Sequence, residues 1–377
     1  MKSFDIIIVG AGASGLMVAS RFKDKNIAIM DTNPKIAQKI KISGGGKCNV
    51  TNIEVSYNNY LGDKEFVENV LKNFTQNELL TFLKDRGCEI VLKKDKQYFC
   101  KNSADEIINV FKDEIKNIPI FLNQKVIKVT KDEHFIIHSE KENFKSKKLI
   151  IASGGLSYPK IGATPIAYDI AKNFGHNVNT TSPALVGFTV QPDQFWMKEL
   201  SGISLKAKIE VAGKSFIQDL LFTHKGISGP LVLNASLYWK KGTLEIDFLP
   251  EGSLKKYIKN SNKLISGVLP LPKRFIKEFL NHVGVVDKAA SKLSKEDLEK
   301  LEFLKNYIFA PAGNFGYSKA EVTRGGIDTA KIDSLTMMSK IVNNLYFIGE
   351  CLDVTGELGG YNFQWAFSCA WSVDIGE

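Results

Sequence analysis

The segment 10–15, Gly-Ala-Gly-Ala-Ser-Gly, has the residue types and spacing of a phosphate-binding turn. It follows an apolar run at 4–9 that predicts a buried strand, and it opens a segment that predicts a helix. In such a turn Gly10 permits the tight bend, Gly12 lets the backbone approach a pyrophosphate, and Gly15 lets the helix pack closely on the strand. The pattern predicts a dinucleotide site.

Two neighbouring features strengthen this prediction, because a glycine pattern alone is weak evidence. The helix predicted at 13–23 begins inside the turn, so the N–H groups of Ala13 and Ser14 offer partial positive charge to a phosphate. A second apolar run, at 27–30, ends in Asp31, 21 residues after the first glycine. A carboxylate at that distance is expected to bind a ribose hydroxyl.

Two further segments predict close approaches of the backbone to a ligand. The segment 41–52 contains three consecutive glycines, which cannot contribute side chains to a core and therefore mark a loop. Its candidate cofactor contacts are Lys41, Ser43, Gly44, Gly45, Gly46, Lys47 and Cys48. The apolar run 148–152 predicts a parallel strand, and ligands of open α/β sheets bind at the carboxyl ends of such strands. The candidates at this strand end are Ser153, Gly154 and Gly155.

The last elements of the sequence favour FAD over NAD as the cofactor. NAD needs only the first phosphate-binding unit, whereas FAD also needs groups that hold its ribityl chain and isoalloxazine. The strand predicted at 345–348 ends in a glycine and an acid, which suits ribityl hydroxyls, and the helix N-terminus that follows offers donors to the flavin pyrimidine edge. The candidates are Gly349, Glu350, Asp353, Gly359, Gly360, Tyr361 and Asn362. The alternative for Glu350 is a solvated loop acid.

Cys48 is the candidate catalytic residue. A thiol beside a flavin could protonate one carbon of a C=C bond as hydride reaches the other. The alternative is a small buried hydrophobe, the commoner fate of a free cysteine. We assign Cys88, Cys100, Cys351 and Cys369 to structure. Because the five cysteines are widely spaced and odd in number, the sequence predicts neither a disulfide framework nor a metal site.

The elements around these residues predict an α/β fold with a Rossmann-like FAD-binding domain. Strand–helix alternation is lost at 188–319, which we interpret as an insert made of a small β unit followed by a helical unit. The predicted domains are 1–187 with 320–377 for FAD binding, 188–252 for the β-rich insert and 253–319 for the helical insert.

Composition indicates an ordinary globular protein, with 44% hydrophobic and 24% charged residues. No apolar run reaches the ~18 residues of a membrane span, and the first strand begins too early for a signal peptide, so we expect a cytoplasmic protein without a membrane partner. The net charge is +9, and 188–319 carries +7 of it, from 20 Lys and Arg against 13 Asp and Glu. The insert is therefore the basic part of the chain.

The insert holds two sets of candidate substrate-binding residues. His224 and Lys225 lie in the glycine-rich loop 224–230, where the alternative is an exposed loop without a ligand. Seven cations lie between 255 and 277 with no acid and two aromatic residues among them, a pattern that favours binding of RNA phosphates. The alternative is a solvated helix face. The candidates for phosphate contact are Lys255, Lys256 and Lys259.

The sequence resembles the bacterial BaiN/RdsA-like NAD(P)/FAD-dependent oxidoreductases, also described as aminoacetone-oxidase-family FAD-binding enzymes. The matching stretches run from residue 10 to 368 and read GAGASGLM, KISGGGKCNVTN, SGGLSYPKIGAT, FTHKGISGP, AEVTRGGI and LYFIGECLDVTGELGGYNFQWAFS. Lys47 stands where the family usually has arginine, so a forked donor becomes a point charge. Pro165-Ile166-Ala167 stands where the family usually has Gly-Asp-Gly, so no role of that acid carries over.

This resemblance implies a Rossmann-like FAD-binding domain interrupted by an insert with a β-barrel-like part and a helical part. It implies an oxidoreductase whose flavin is reduced by NAD(P)H and passes hydride to a C=C bond or a similar acceptor. No second glycine pattern is evident, so we expect the nicotinamide donor to bind transiently. Some relatives are linked to dihydrouridine in ribosomal RNA, which makes a uridine of that RNA the predicted substrate. The alternatives are a small-molecule substrate or a flavoprotein without turnover.

Overall fold

The computed structural model describes residues 1–93, 96–259 and 261–376. The described strands and helices before the insert are β1 (Lys2–Val9), α1 (Ala13–Arg21), β2 (Ile27–Met30), α2 (Gln38–Ile42), β3 (Asn49–Asn52), β4 (Tyr60–Leu61), α3 (Lys64–Asn73), α4 (Gln76–Lys84), β5 (Ile90–Lys93), β6 (Gln97–Cys100), α5 (Asp105–Glu114), β7 (Ile120–Phe121), β8 (Val126–Lys131), β9 (Phe135–Ser139), β10 (Asn143–Ile151), α6 (Ile166–Asn173) and β11 (Val178–Ala184).

The insert and the carboxyl-terminal segment complete the set of elements. The insert contains β12 (Phe188–Thr189), β13 (Ser204–Val211), β14 (Lys214–Thr223), β15 (Gly226–Ser228), α7 (Pro230–Tyr238), β16 (Leu244–Asp247), α8 (Leu254–Ile258), α9 (Ile265–Val268), α10 (Lys273–Val283), α11 (Lys295–Leu301), β17 (Tyr307–Phe309) and β18 (Gly313–Asn314). The chain then forms β19 (Val322–Ile327), β20 (Leu345–Phe347), β21 (Thr355–Gly356) and α12 (Tyr361–Trp371).

The chain forms two compact units. The first is Met1–Pro183 with Glu321–Glu377, and the second is Ala184–Ala320. The finer division of the insert into 188–252 and 253–319 stays a prediction.

A parallel sheet in the order β7–β2–β1–β10–β20 lies at the centre of the first unit. This is the strand order of a Rossmann fold, which the sequence predicts. The amino-terminal part of β10 pairs with β9, and β9 pairs with β8, in an antiparallel extension of the sheet. Ile7, Ile8 and Ile29 are fully buried, because helices cover parallel sheets on both faces. The continuous apolar runs of the sequence follow from that double burial.

The second unit is built on a seven-stranded sheet in the order β17–β16–β13–β14–β15–β12–β18. The strand pairs described are antiparallel. Its core is rich in phenylalanine, and Phe222, Phe275 and Phe309 are fully buried. Within the described residues, no helix of either unit is both long and apolar enough to cross a bilayer.

Candidate functional site

Four loops with predicted site residues leave the central sheet at one edge. Val9 is aligned with both Met30 and Ile151, and Ile151 is aligned with Phe347. Because the strands are parallel, the loops that follow these residues begin side by side. They carry Gly10, Asp31, Ser153 and Gly349.

Two of the three glycines in the turn after β1 are required by close backbone contacts, and the third is next to open space. Gly10 has φ +113°, and a Cβ there would lie 2.4 Å from the carbonyl oxygen of Ala152. A Cβ on Gly15 would lie 1.8 Å from the carbonyl oxygen of Gly10. A Cβ on Gly12 would meet nothing within 4 Å. Only the middle glycine therefore faces open space, as the predicted pyrophosphate approach requires.

The amino terminus of α1 is available to an anion. Gly12 is its N-cap, no side chain caps it, and its first turn has no acidic residue. Its first N–H groups have no partner within the helix, and they carry the positive end of the helix dipole. The predicted contacts of Ala13 and Ser14 are backbone contacts of this kind.

Asp31 supports the same turn from β2. Its two carboxylate oxygens accept hydrogen bonds from the backbone N–H groups of Ala11 and Asn33, each at 2.7 Å. The carboxylate thus fixes the position of the glycine turn. Each oxygen also has a second lone pair, so the carboxylate can still accept a hydrogen bond from a ribose hydroxyl. Binding of the ribose to Asp31 stays a prediction.

Glu350 is held by two groups that the sequence did not single out. Its Oε1 accepts the backbone N–H of Thr323 at 2.9 Å, and its Oε2 forms an ion pair with Lys39 Nζ at 2.5 Å. The Glu350 side chain is only 20% exposed, so it is not the solvated loop acid of the alternative interpretation. A Cβ on Gly155 would lie 2.9 Å from Glu350 Oε1, which explains the glycine there.

Thr323 also links β19 to the loop after β10. Its hydroxyl oxygen accepts the N–H groups of Leu156 at 2.8 Å and of Ser157 at 3.2 Å. In the same loop, the buried hydroxyl of Ser153 has no hydrogen-bond partner among the described residues. A buried polar atom without a partner suits a bound ligand.

The loop after β20 contacts the beginning of α1. Gly349 has φ +80°, and a Cβ there would lie 2.3 Å from Ser14 Oγ. Asp353 accepts a hydrogen bond from the amide of Asn179 at 2.7 Å. Two predicted cofactor residues, Gly349 and Ser14, are therefore in contact, whereas Asp353 has a protein partner of its own.

The amino terminus of α12 follows two glycines with positive φ. A Cβ on Gly360 would lie 2.6 Å from the carbonyl oxygen of Thr51, and Gly359 has φ +138°. The Asn362 side chain bonds both the N–H and the carbonyl of Gly356, each at 2.9 Å. Tyr361 is nearly buried, and its carbonyl accepts the hydroxyl of Tyr60. Any flavin contact here is thus left to backbone groups.

The glycine triplet forms a tight left-handed turn. Gly44, Gly45 and Gly46 have φ of +55°, +67° and +83°, and a Cβ on either of the last two would meet nothing within 4 Å. Ser43 Oγ donates to the carbonyl of Ile40. Lys41, on the preceding helix, forms an ion pair with Asp105. The backbone of the turn is therefore open to a ligand, while Lys41 is already paired.

Two lysines lie beside this turn. Lys47 is exposed, and its proximity lowers the pKa of Lys93. The predicted cofactor contact of Lys47 remains a prediction.

Cys48 lies at the end of the turn with φ +46° and no exposed surface. Its hydrogen bond with Cys100 and its burial raise the pKa of the Cys48 thiol well above its usual value. The burial and the raised pKa favour the interpretation of Cys48 as a buried packing residue. Proton donation by Cys48 stays a prediction.

We expect Cys48→Ala to retain FAD and to turn over substrate at close to the wild-type rate, because its thiol faces another thiol. Anaerobic stopped-flow measurement of each half-reaction tests this. A slowing of about 10²-fold, confined to the half-reaction with substrate, would instead identify Cys48 as the proton donor.

The predicted residues of the insert are exposed. His224 and Lys225 form the turn between β14 and β15, where Thr223 Oγ1 accepts the N–H of Lys225 at 3.3 Å. The seven cations between 255 and 277 are exposed as well. Of the two aromatic residues among them, Phe275 is fully buried in the hydrophobic core and is not available to stack on bases. Tyr257 is partly buried and packs against the same core.

Comparison with known proteins adds independent information. The HI0933-like protein Rossmann domain model matches residues 4–375. The ribosomal RNA dihydrouridine synthase of Haemophilus influenzae is 39% identical over 98% of this chain and 97% of its own. The 3-dehydro-bile acid delta(4,6)-reductase of Clostridium scindens is 28% identical over 96% of each.

The chain belongs to the HI0933-like family. The predicted family and fold class are thereby confirmed, and the protein is an FAD-dependent oxidoreductase. The solved 3-ketosteroid-delta4-(5alpha)-dehydrogenase of Rhodococcus jostii RHA1 shares the fold, with a TM-score of 0.51 and 10% identity over 98% of this chain and 97% of the other.

The described residues fit the FAD of the HI0933-like family. The open face of Gly12, the uncapped amino terminus of α1 and the unpartnered hydroxyl of Ser153 all lie at the carboxyl edge of the sheet. These features provide room for a phosphate, backbone N–H groups that can donate hydrogen bonds to it, and a hydroxyl group that can bind a ligand. The assignment of individual residues to parts of FAD is a proposal and is given below.

The two hydrogen bonds of Asp31 allow a test that separates fold from cofactor. We expect Asp31→Ala to lower the free energy of unfolding of the flavin-free protein by about 1–3 kcal/mol, because two N–H groups lose their acceptor. Asp31→Asn keeps one acceptor oxygen and should lose less. Urea unfolding and FAD titration measure the two effects. Unchanged stability of the alanine variant would contradict the structural role of this carboxylate.

Proposed function

We propose that this protein reduces a uridine of ribosomal RNA to dihydrouridine, with FAD as resident cofactor and NAD(P)H as transient electron donor. The similarity to the Haemophilus influenzae ribosomal RNA dihydrouridine synthase, over nearly the full length of both chains, carries the proposal. The C5=C6 bond of the base gains a hydride and a proton, and NAD(P)H is oxidised to NAD(P)+. Such a substrate places the protein in the cytoplasm.

The proposed cofactor contacts follow from the loops at the sheet edge. The backbone at Gly12 with the N–H groups of Ala13 and Ser14 binds the pyrophosphate. Asp31 binds the adenosine ribose, and Glu350 binds ribityl hydroxyls. FAD, when bound, supplies the hydride. The remaining proposed contacts are Gly10, Gly15, Lys41, Ser43, Gly44, Gly45, Gly46, Lys47, the backbone of Cys48, Ser153, Gly154, Gly155, Gly349, Asp353, Gly359, Gly360, Tyr361 and Asn362.

Lys39 positions Glu350 in this proposal. Its ammonium group fixes one carboxylate oxygen, and the N–H of Thr323 fixes the other. A carboxylate held at both oxygens keeps a defined orientation and still offers a lone pair to a hydroxyl group.

The charge of the insert supports an RNA substrate. Lys255, Lys256 and Lys259 are exposed. Glu251, the acid that precedes them in the sequence, forms an ion pair with Lys206 and also interacts electrostatically with Lys256. Exposed cations of this kind can neutralise phosphates. His224 and Lys225, exposed on their turn, are further proposed substrate contacts.

Dihydrouridine content of ribosomal RNA tests the proposal directly. We expect a strain without this gene to lose one dihydrouridine from its ribosomal RNA, and the wild-type gene to restore it. An unchanged nucleoside composition would contradict the RNA substrate. Anaerobic mixing with NADH and with NADPH, followed by flavin absorbance, tests the electron donor.

A small-molecule substrate is the second candidate, favoured by the similarity to the Clostridium scindens bile acid reductase. The same reduced protein, mixed with an unsaturated steroid ketone or with unmodified ribosomal RNA, distinguishes the two. Rapid flavin reoxidation by the ketone alone would favour the small molecule, and reoxidation by the RNA alone would favour the proposal.

A further inference from the structure

Three cysteines and a glutamate from separate segments come together beside the glycine triplet. Cys48 precedes β3, Cys88 precedes β5, Cys100 ends β6, and Glu106 lies in the first turn of α5. The strand β6 pairs with both β3 and β5, which brings the three cysteines together around Cys100. All three are buried.

The donor atoms of this cluster are close enough to share one ion. The sulfur atoms of Cys88 and Cys100 and a carboxylate oxygen of Glu106 all lie within 4.8 Å of one another. The thiols of Cys48 and Cys88 both interact electrostatically with the sulfur of Cys100. A tetrahedral zinc site, with Zn–S of about 2.3 Å and Zn–O of about 2.0–2.2 Å, separates its ligand atoms by roughly 3.5 Å. The donor atoms would have to approach one another by at most about 1.3 Å to reach that geometry.

Neighbouring groups already orient these donors. The Cys100 sulfur lies near the backbone of Ile107, in the first turn of α5. Glu106 accepts the backbone N–H of Lys101 at 3.0 Å and the Asn102 amide at 2.6 Å. Hydrogen bonds of this kind fix the ligands of metal sites.

We propose that Cys88, Cys100 and Glu106 bind a thiolate-preferring divalent cation of the Zn²⁺ class, with Cys48 hydrogen-bonded to the Cys100 sulfur. Two thiolates and a carboxylate carry three negative charges, which burial makes costly unless a cation compensates them. Sulfur ligands select Zn²⁺ or Cd²⁺ over Mg²⁺ and Ca²⁺. Binding displaces the protons of the Cys88 and Cys100 thiols.

The alternative to a metal site is a disulfide between two of these cysteines. The structure favours binding of a cation. A disulfide joins two sulfurs and has no need of Glu106, yet hydrogen bonds hold this carboxylate beside both sulfurs. The sequence predicts no metal site because its five cysteines are widely spaced and odd in number. Antiparallel pairing of strands distant in sequence creates the cluster.

Metal titration of the full-length holoprotein tests the proposal. After treatment with a reductant and a chelator, we expect the wild-type protein to bind one Cd²⁺ with a thiolate-to-cadmium ultraviolet band, and one Zn²⁺ in competition with a chromogenic chelator. Cys88→Ser, Cys100→Ser and Glu106→Gln should each weaken binding by about 100-fold, and Cys48→Ala by about 10-fold.

Cys351→Ser is the matched control, because Cys351 is a fully buried thiol outside the cluster. It should bind both ions as the wild-type protein does. Should the cluster variants fail to fold, the wild-type titration and its Cd²⁺ band remain decisive. The proposal is overturned if the reduced wild-type protein binds neither ion. It is also overturned if Cys351→Ser weakens binding as much as Cys100→Ser, or if two cluster cysteines purify as a disulfide that reduction does not convert into a metal site.

Discussion

Gly12→Val should fold normally and purify without FAD. The valine side chain begins in space that no protein atom occupies within 4 Å, so the flavin-free fold has nothing to clash with. The same side chain would fill the space that a pyrophosphate needs against the backbone. Loss of the yellow colour with an unchanged melting temperature of the flavin-free protein is the expected result. Full flavin content would contradict the proposed pyrophosphate position.

Two other glycines provide the controls for this variant. Gly267→Val also begins in open space but lies in α9 of the insert, so its flavin content should equal that of the wild type. Gly15→Val should instead fail to fold, because its Cβ would lie 1.8 Å from a backbone oxygen. A soluble, flavin-free Gly15→Val protein would mean that the turn is more adaptable than its contacts indicate.

Reversing three charges on the insert should have the largest effect on RNA binding. Lys255, Lys256 and Lys259, all changed to Glu, lose three phosphate contacts and gain repulsion. We expect RNA affinity at low salt to fall by about 100-fold. The slope of log affinity against log salt should decrease by about 2 to 3. Filter binding of ribosomal RNA across a salt series measures both quantities.

The matched control reverses three exposed lysines of the first unit. Changing Lys84, Lys112 and Lys116 to Glu alters the net charge by the same amount at a distant point in the sequence. It should leave the salt slope close to that of the wild type. Equal losses in both triple variants would indicate that net charge, and not the proposed surface, governs RNA binding. FAD content should be unchanged in both.

The sheet edge could be predicted because its signals are local. An apolar run followed by glycine indicates a buried strand and the loop that follows it. The carboxyl ends of parallel strands lie at the same edge of the sheet, so these loops begin close together. The order β7–β2–β1–β10–β20 then assembles candidates more than 300 residues apart in sequence. The roles of Gly10 and Gly15 were predictable for the same reason, since they depend only on strand, turn and helix.

Several hydrogen-bond and ion-pair partners could not be predicted, because they depend on which segments distant in sequence pack together in the fold. Nothing near Lys39 indicates that it pairs with Glu350, and nothing near Thr323 indicates that its hydroxyl accepts two N–H groups. The cysteine cluster and the burial of Phe275 are of the same kind. A pattern reports the type of side chain, whereas the tertiary fold decides what that side chain faces.

The discontinuity of the first unit has a consequence for biosynthesis. On the ribosome, β1, β2 and β10 emerge well before β20, because the whole of Ala184–Ala320 is translated after β10 and before β20. Until β20 appears, β10 presents an unpaired parallel edge, and such edges template aggregation. Gly349, Glu350 and the helix α12, which packs against α1, are also translated after the insert. Stable retention of the flavin therefore requires that the ribosome has translated the insert and the segment 345–371 that follows it.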